Sequence, residues 1–95
     1  MIGSRIARRL RIHGRVQGVY FRGWTVETAQ QLGLDGWVRN RLDGSVEALA
    51  VGPAKAVEAL ITASHQGPPA ARVDHVDVEE AQGIVATGFV QKPTV

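Results

Sequence analysis

Ninety-five residues, 44% apolar and 21% charged, suit a single globular domain spanning 1–95 rather than a disordered chain or a membrane span. The absence of cysteine excludes disulfides, thiolate zinc sites and cysteine nucleophiles together, so the domain must hold itself by packing. The net charge of +2 is unevenly spread: Arg5, Arg8, Arg9, Arg11, Arg15 and Arg22 all precede the first acidic residue, Glu27, so one end of the domain should attract an anion, either a nucleic acid or a small phosphate.

The opening MIGSRIARRLRIHGR, with Met1 as initiator, lacks the apolar core and cleavage site of a leader, so a soluble, cytoplasmic protein is expected. Leu10 and Ile12 then alternate with Arg9, Arg11 and His13, which predicts a half-buried strand ending at Gly14, with Ile6 and Arg8 as its frayed beginning. The following GRVQGV has neither period and reads as a loop. Phe21, Thr25, Thr28, Ala29 and Leu32 recur at helical spacing over Phe21–Leu32, with Gly33 as a left-handed stop. Gly36–Asn40 predicts a short strand, Asp43 and Gly44 a turn, and SVEALAV the returning strand of a hairpin. Pro53 suits a first helical turn. Val57, Leu60, Ile61 and Ser64 then mark one helical face until Gly67, Pro68 and Pro69 end it. Val76 and Val78 alternate with polar residues in a last main strand, and Phe89 with Gln91 marks a candidate fifth. Strand, helix, strand, strand, helix, strand predicts an α+β, ferredoxin-like sandwich, βαββαβ, with both helices on one face of a mostly antiparallel sheet of four to five strands.

A glycine-containing loop that runs into a helix can turn backbone amides toward one point, where the unpaired amides and partial positive charge of the helix N-terminus join them. Glycines that merely serve a tight connection explain the loop equally well. Arg22 shifts the balance toward an anion, because a cation in the first helical turn meets the positive end of the dipole at a cost of a few tenths to about 1 kcal/mol. A phosphate between the two would remove that conflict and accept the guanidinium through two oxygens. A solvated surface arginine is the alternative. Asn40, taken alone, is a hairpin residue capping its own turn.

The strings GRVQGVYFR (Gly14–Arg22) and GLDGWVRNRLDGSVEA (Gly33–Ala48) closely resemble the two signature segments of the acylphosphatase family, and the resemblance extends through GPPAARVDHVDVEE to nearly the whole chain. It implies a ferredoxin-like enzyme that hydrolyses the carboxyl-phosphate anhydride of small acyl phosphates without metal or cofactor. Inorganic phosphate, or sulfate in its stead, would then be a product-like ligand. It also implies two catalytic residues, Arg22 binding phosphate and Asn40 positioning water. The backbone amides of Arg15, Val16, Gln17, Gly18, Val19 and Tyr20 would form the phosphate cradle.

A mixed anhydride already carries a good leaving group, so the enzyme needs mainly to hold the phosphoryl group, spread its charge and aim a water in line. An asparagine amide is no strong base, so a phosphate oxygen of the substrate is expected to take the water's proton, with turnover nearly flat from about pH 5 to 7. The chain departs from the family pattern at Gly23, a helix glycine costing roughly 0.5 to 1 kcal/mol against alanine. Pro93, which cannot donate a ladder bond, is a second departure and puts the fifth strand in question.

His13, His65 and His75 fall on separate elements without ligand spacing, so no metal site is expected. Trp24 and Trp37 read as core. An RNA-binding module of the same fold would stack bases on exposed aromatics of its central strands. SVEALAV has none, which disfavours nucleic acid as a partner. A regulatory domain like the one that opens hydrogenase-maturation carbamoyltransferases is the other rival. The small size and lack of an evident apolar patch favour a monomer. The signature concerns only the phosphate, leaving the acyl group open.

Overall fold

A computed structural model describes residues 4–95; Met1 lies outside them. The elements follow as β1 (Arg5–Arg15), α1 (Phe21–Gln31), β2 (Asp35–Asn40), β3 (Val46–Pro53), α2 (Ala54–Ser64), β4 (Arg72–Glu80) and β5 (Phe89–Gln91). They form one sheet in the order β4-β1-β3-β2-β5, antiparallel except for the β2–β5 pair. This is the ferredoxin-like arrangement expected, with the fifth strand present.

Several element ends differ from the sequence expectation by one or two residues, β1 running on to Arg15 and α1 ending at Gln31, and two differences concern how the sheet is built. The start of β1 is not frayed, because Ile6 pairs with Gly52 and Arg8 with Ala50, so the ladder runs the full length of β3. Pro53 closes β3 and stands outside α2, as its N-cap. Pro93 does not cost the fifth strand, since β5 ends at Gln91, and the backbone stays bonded to β2 on both sides of the proline, Lys92 N donating to Val38 O at 2.9 Å and Val95 N to Asn40 O at 3.3 Å. The hairpin turn is built as read: Asp43 Oδ1 accepts bonds from the Ser45 amide at 2.9 Å and hydroxyl at 2.6 Å.

Alternation along the strands sends Leu10, Ile12, Val38, Val46, Ala48 and Ala50 to the helix side, where they meet Phe21, Ala29, Val57 and Leu60 in the main core. Trp24 joins its edge, ring to ring with Phe21 at 5.3 Å. The other sheet face is not bare. Ala7, Leu49 and Val51 form a second small core covered by Ala81 and Val85 from the segment between β4 and β5. Trp37 stands at the edge of this second core between the Arg39 guanidinium and the Lys92 ammonium, 4.7 and 4.9 Å from its ring centre.

The same face holds Glu47, 4% exposed, ringed by Arg39 at 2.8 Å, Arg41 at 3.2 Å and Arg9 at 3.4 Å. Burial pushes its carboxyl upward. The Arg39 hydrogen bond and the charges of Arg39, Arg41 and Arg11 more than offset this and hold it below the usual glutamate range. A carboxyl depressed in the fold contributes stability above its unfolded value of about 4.3, and that contribution disappears as pH falls through the folded value. Thermal melts should therefore show a fall in Tm as pH drops below about 4.3, and Glu47→Gln should flatten part of it. Asp35 and Asp43, also depressed, keep the remainder.

Candidate active site

The loop after β1 makes its turn with two left-handed residues, Gly18 at φ 74° and Tyr20 at φ 68°, the latter being the N-cap of α1. Between them and on either side the side chains anchor the loop. Val16 and Val19 are buried in the main core, and Gln17 Nε2 donates to the carbonyls of Arg41 and Ser45 at 2.8 and 2.9 Å. The loop is thus tied to the β2–β3 hairpin by side chains, which leaves its backbone groups for other work. Among the described residues, the amides of Gln17, Gly18, Val19 and Tyr20 donate no hydrogen bond to the protein.

At the helix start no acidic residue sits in the first turn and no side chain caps it. Arg22, half-buried in that turn, makes no ion pair among the described residues, although the arginines of the open sheet face have carboxylate partners. This leaves two sources of positive potential at one point without a compensating charge.

Gly23 acquires a reason here. A Cβ at this position would come within 2.3 Å of Tyr20 Cε1, so the glycine makes room for the tyrosine ring folded back over the helix. The Tyr20 hydroxyl donates to Glu27 Oε2 at 2.6 Å, a bond that raises the phenol's pKa and closes the fold-back. The helix propensity lost at Gly23 is therefore exchanged for a clamp on the left-handed cap.

Asn40, the last residue of β2, faces the same place. Its Oδ1 is buried and has no hydrogen-bond partner, a condition that costs about 1–3 kcal/mol unless a donor enters. Val16, Gly18, Tyr20, Arg22 and Asn40 line one cleft of about 140 Å³. Arg15, Gln17 and Val19 do not line it; Arg15, the last residue of β1, is exposed, and the other two point into the hairpin and the core. Phe21, Gly23 and Gln91 of β5 complete the lining, and Gln91 is the one that sequence reasoning missed. No period or motif singles it out, because its place depends on β5 lying beside β2.

His13 and His75 lie on separate strands, but on neighbouring ones, and their rings stack away from the cleft; His65, the residue after α2, stands apart from both.

A family profile described as Acylphosphatase matches residues 8–91. A protein named acylphosphatase from Rhizorhabdus wittichii is 65% identical over 92 residues, which covers 97% of this chain and 93% of that one. Among solved structures, an acylphosphatase from Coxiella burnetii superposes with a TM-score of 0.89 at 33% identity, covering 93% of each chain. One from Bacillus subtilis gives 0.86 at 36% identity, covering 92% of this chain and 98% of that one. With the profile match covering both the loop and the Asn40 strand, the chain belongs to the acylphosphatase family.

Proposed function

We propose how this acylphosphatase works: the Gln17–Tyr20 amides and Arg22 hold the phosphoryl group of a small acyl phosphate, and Asn40 orients the attacking water. One observation carries the reading, the meeting in a single cleft of an unpaired arginine and a buried, unpartnered Asn40 Oδ1. A phosphate dianion answers the first need and a water O–H the second. The guanidinium takes two phosphate oxygens, and the loop amides with the N-terminus of α1 take the remaining charge.

Water bonded to Asn40 Oδ1 then approaches phosphorus opposite the acyl oxygen. The new P–O bond forms as the P–O bond to the acyl group breaks, the carboxylate leaves with the electron pair, and the water's proton passes to a phosphoryl oxygen. Arg15 and Val16 support the cradle through the backbone. The reading carries inorganic phosphate or sulfate as product-like ligands, no cofactor, a cytoplasmic setting, and a monomer, since the cleft is built from one chain.

The test is hydrolysis of benzoyl phosphate in excess chelator. Rapid turnover is expected, nearly flat from about pH 5 to 7 because no cleft side chain titrates there. Asn40→Ala should lower kcat by about 10²-fold or more with KM nearly unchanged, since the water is aimed and the phosphate still held. A bell-shaped profile centred in that range, or an Asn40→Ala effect confined to KM, would defeat the mechanism.

A further inference from the structure

The sheet face turned away from the helices carries a second constellation, outside the cleft. His13 of β1 and His75 of β4 are direct cross-strand partners, with ring centres 4.4 Å apart and 15° between the planes. Asp77, two residues further along β4, sets its Oδ2 3.1 Å from His13 Nε2 and 3.5 Å from His75 Nε2. One ligand atom from each of the three lies within 4.8 Å of the other two.

We propose that His13, His75 and Asp77 bind a divalent transition-metal ion of the borderline class, for which Zn2+ is the probe. Two imidazole nitrogens and one carboxylate oxygen are a donor set for such ions, whereas Mg2+ and Ca2+ prefer oxygen alone. Stacked rings aim their lone pairs side by side, so one ring must turn about its Cβ–Cγ bond for the donors to converge to the roughly 2.0–2.2 Å that zinc requires. Both side chains have the freedom to do so, being 33% and 59% exposed.

The neighbouring cations are already engaged: Arg9 by Glu79 and Glu47, Arg11 by Asp43. An incoming dication therefore meets Asp77, the carboxylate of the cluster, with no arginine or lysine ion pair among the described residues. Three protein donors on an open face leave further positions to water. The ion would clip the edge strand β4 to β1 beside the irregularity at His13/Gly14, so it should stabilise the fold by linkage without entering the hydrolytic reaction.

Isothermal titration of the intact protein with ZnCl2 in a non-coordinating buffer at neutral pH tests this. One equivalent should bind with a Kd on the order of 10 µM or tighter. His13→Ala and His75→Ala should each weaken it by about ten-fold or more, and Asp77→Asn by a smaller factor. The zinc-dependent rise in Tm should vanish in both histidine variants. Hydrolysis of benzoyl phosphate by His75→Ala, measured with chelator, should persist and so certify its fold. No saturable binding below about 100 µM, or binding of equal strength in both histidine variants, overturns the proposal.

Discussion

Arg22→Ala should lose about 10³-fold or more in kcat/KM for benzoyl phosphate, while the variant melts at the same temperature as the wild type or slightly above it. The two halves of this result have a common origin. Arg22 stands in the first turn of α1 with no ion-pair partner among the described residues, so its removal relieves a repulsion of a few tenths to about 1 kcal/mol. With substrate bound as proposed, the same charge would lie against the phosphoryl oxygens, where an arginine that stabilises phosphoryl transfer is worth on the order of 10³ to 10⁵ in rate. Arg22→Lys should recover only a minor part, since an ammonium retains the charge but loses the fork that takes two oxygens. Steady-state kinetics beside a thermal melt decide the matter. A variant that loses activity and several degrees of Tm together would make Arg22 a structural residue and return the cleft to a different reading.

Gly36→Ala carries the largest expected cost to stability. Gly36 pairs with Ala50 on one side and with Phe89 on the other, and its φ of 136° is one that a side chain rarely adopts. A Cβ there would stand 1.8 Å from the Leu49 carbonyl oxygen and 3.2 Å from the Phe89 ring. The first obstacle is backbone in the middle of a sheet, which can move only by parting β2 from β3. Backbone strain and overpacking each cost about 1–3 kcal/mol, so a combined loss of about 3 kcal/mol or more is expected. For a domain of this size that lowers Tm by roughly 12 °C or more. Gly33→Ala is the comparison: its φ is 70°, but a Cβ there meets nothing within 4 Å, so its cost should be limited to the strain of the left-handed backbone, about 1 kcal/mol. Equal melting temperatures for the two variants would show that the β2–β3 pair can yield at this point.

What was readable in the chain beforehand had local causes. Gly14 to Arg22 is one contiguous run from strand to loop to helix, and the misplacement of a cation in a first helical turn needs no knowledge of the sheet. The period of two in Leu10 and Ile12, and the helical spacing of Phe21, Thr25 and Ala29, gave the buried faces for the same reason. What was not readable depends on which strands become neighbours. Gln91 enters the cleft because β5 lies beside β2, and His13 finds His75 because β4 lies beside β1. Gly23 is a loss of helix propensity in the sequence alone, and its reason lies in the Tyr20 ring, which occupies its missing side chain's space. Alternation also assigns a face without saying what covers it, which is why the second core beneath Ala81 and Val85 had no counterpart in the pattern.

The ring of arginines about Glu47 has a consequence for how the sheet finds its pairing. Side chains alternate between faces, so sliding β3 by one residue against its neighbours would carry Glu47 through to the helix side, among Leu10, Val38 and Phe21. Arg9, Arg39 and Arg41 would remain behind on the far face, and a lone carboxylate in the apolar interior costs several kcal/mol. The valines, alanines and leucine that make up most of the rest of β3 tolerate such a slip on packing grounds far better than this one charge does. Glu47 therefore acts as a proofreading mark: it adds modestly to the correct sheet and penalises the nearest wrong ones heavily.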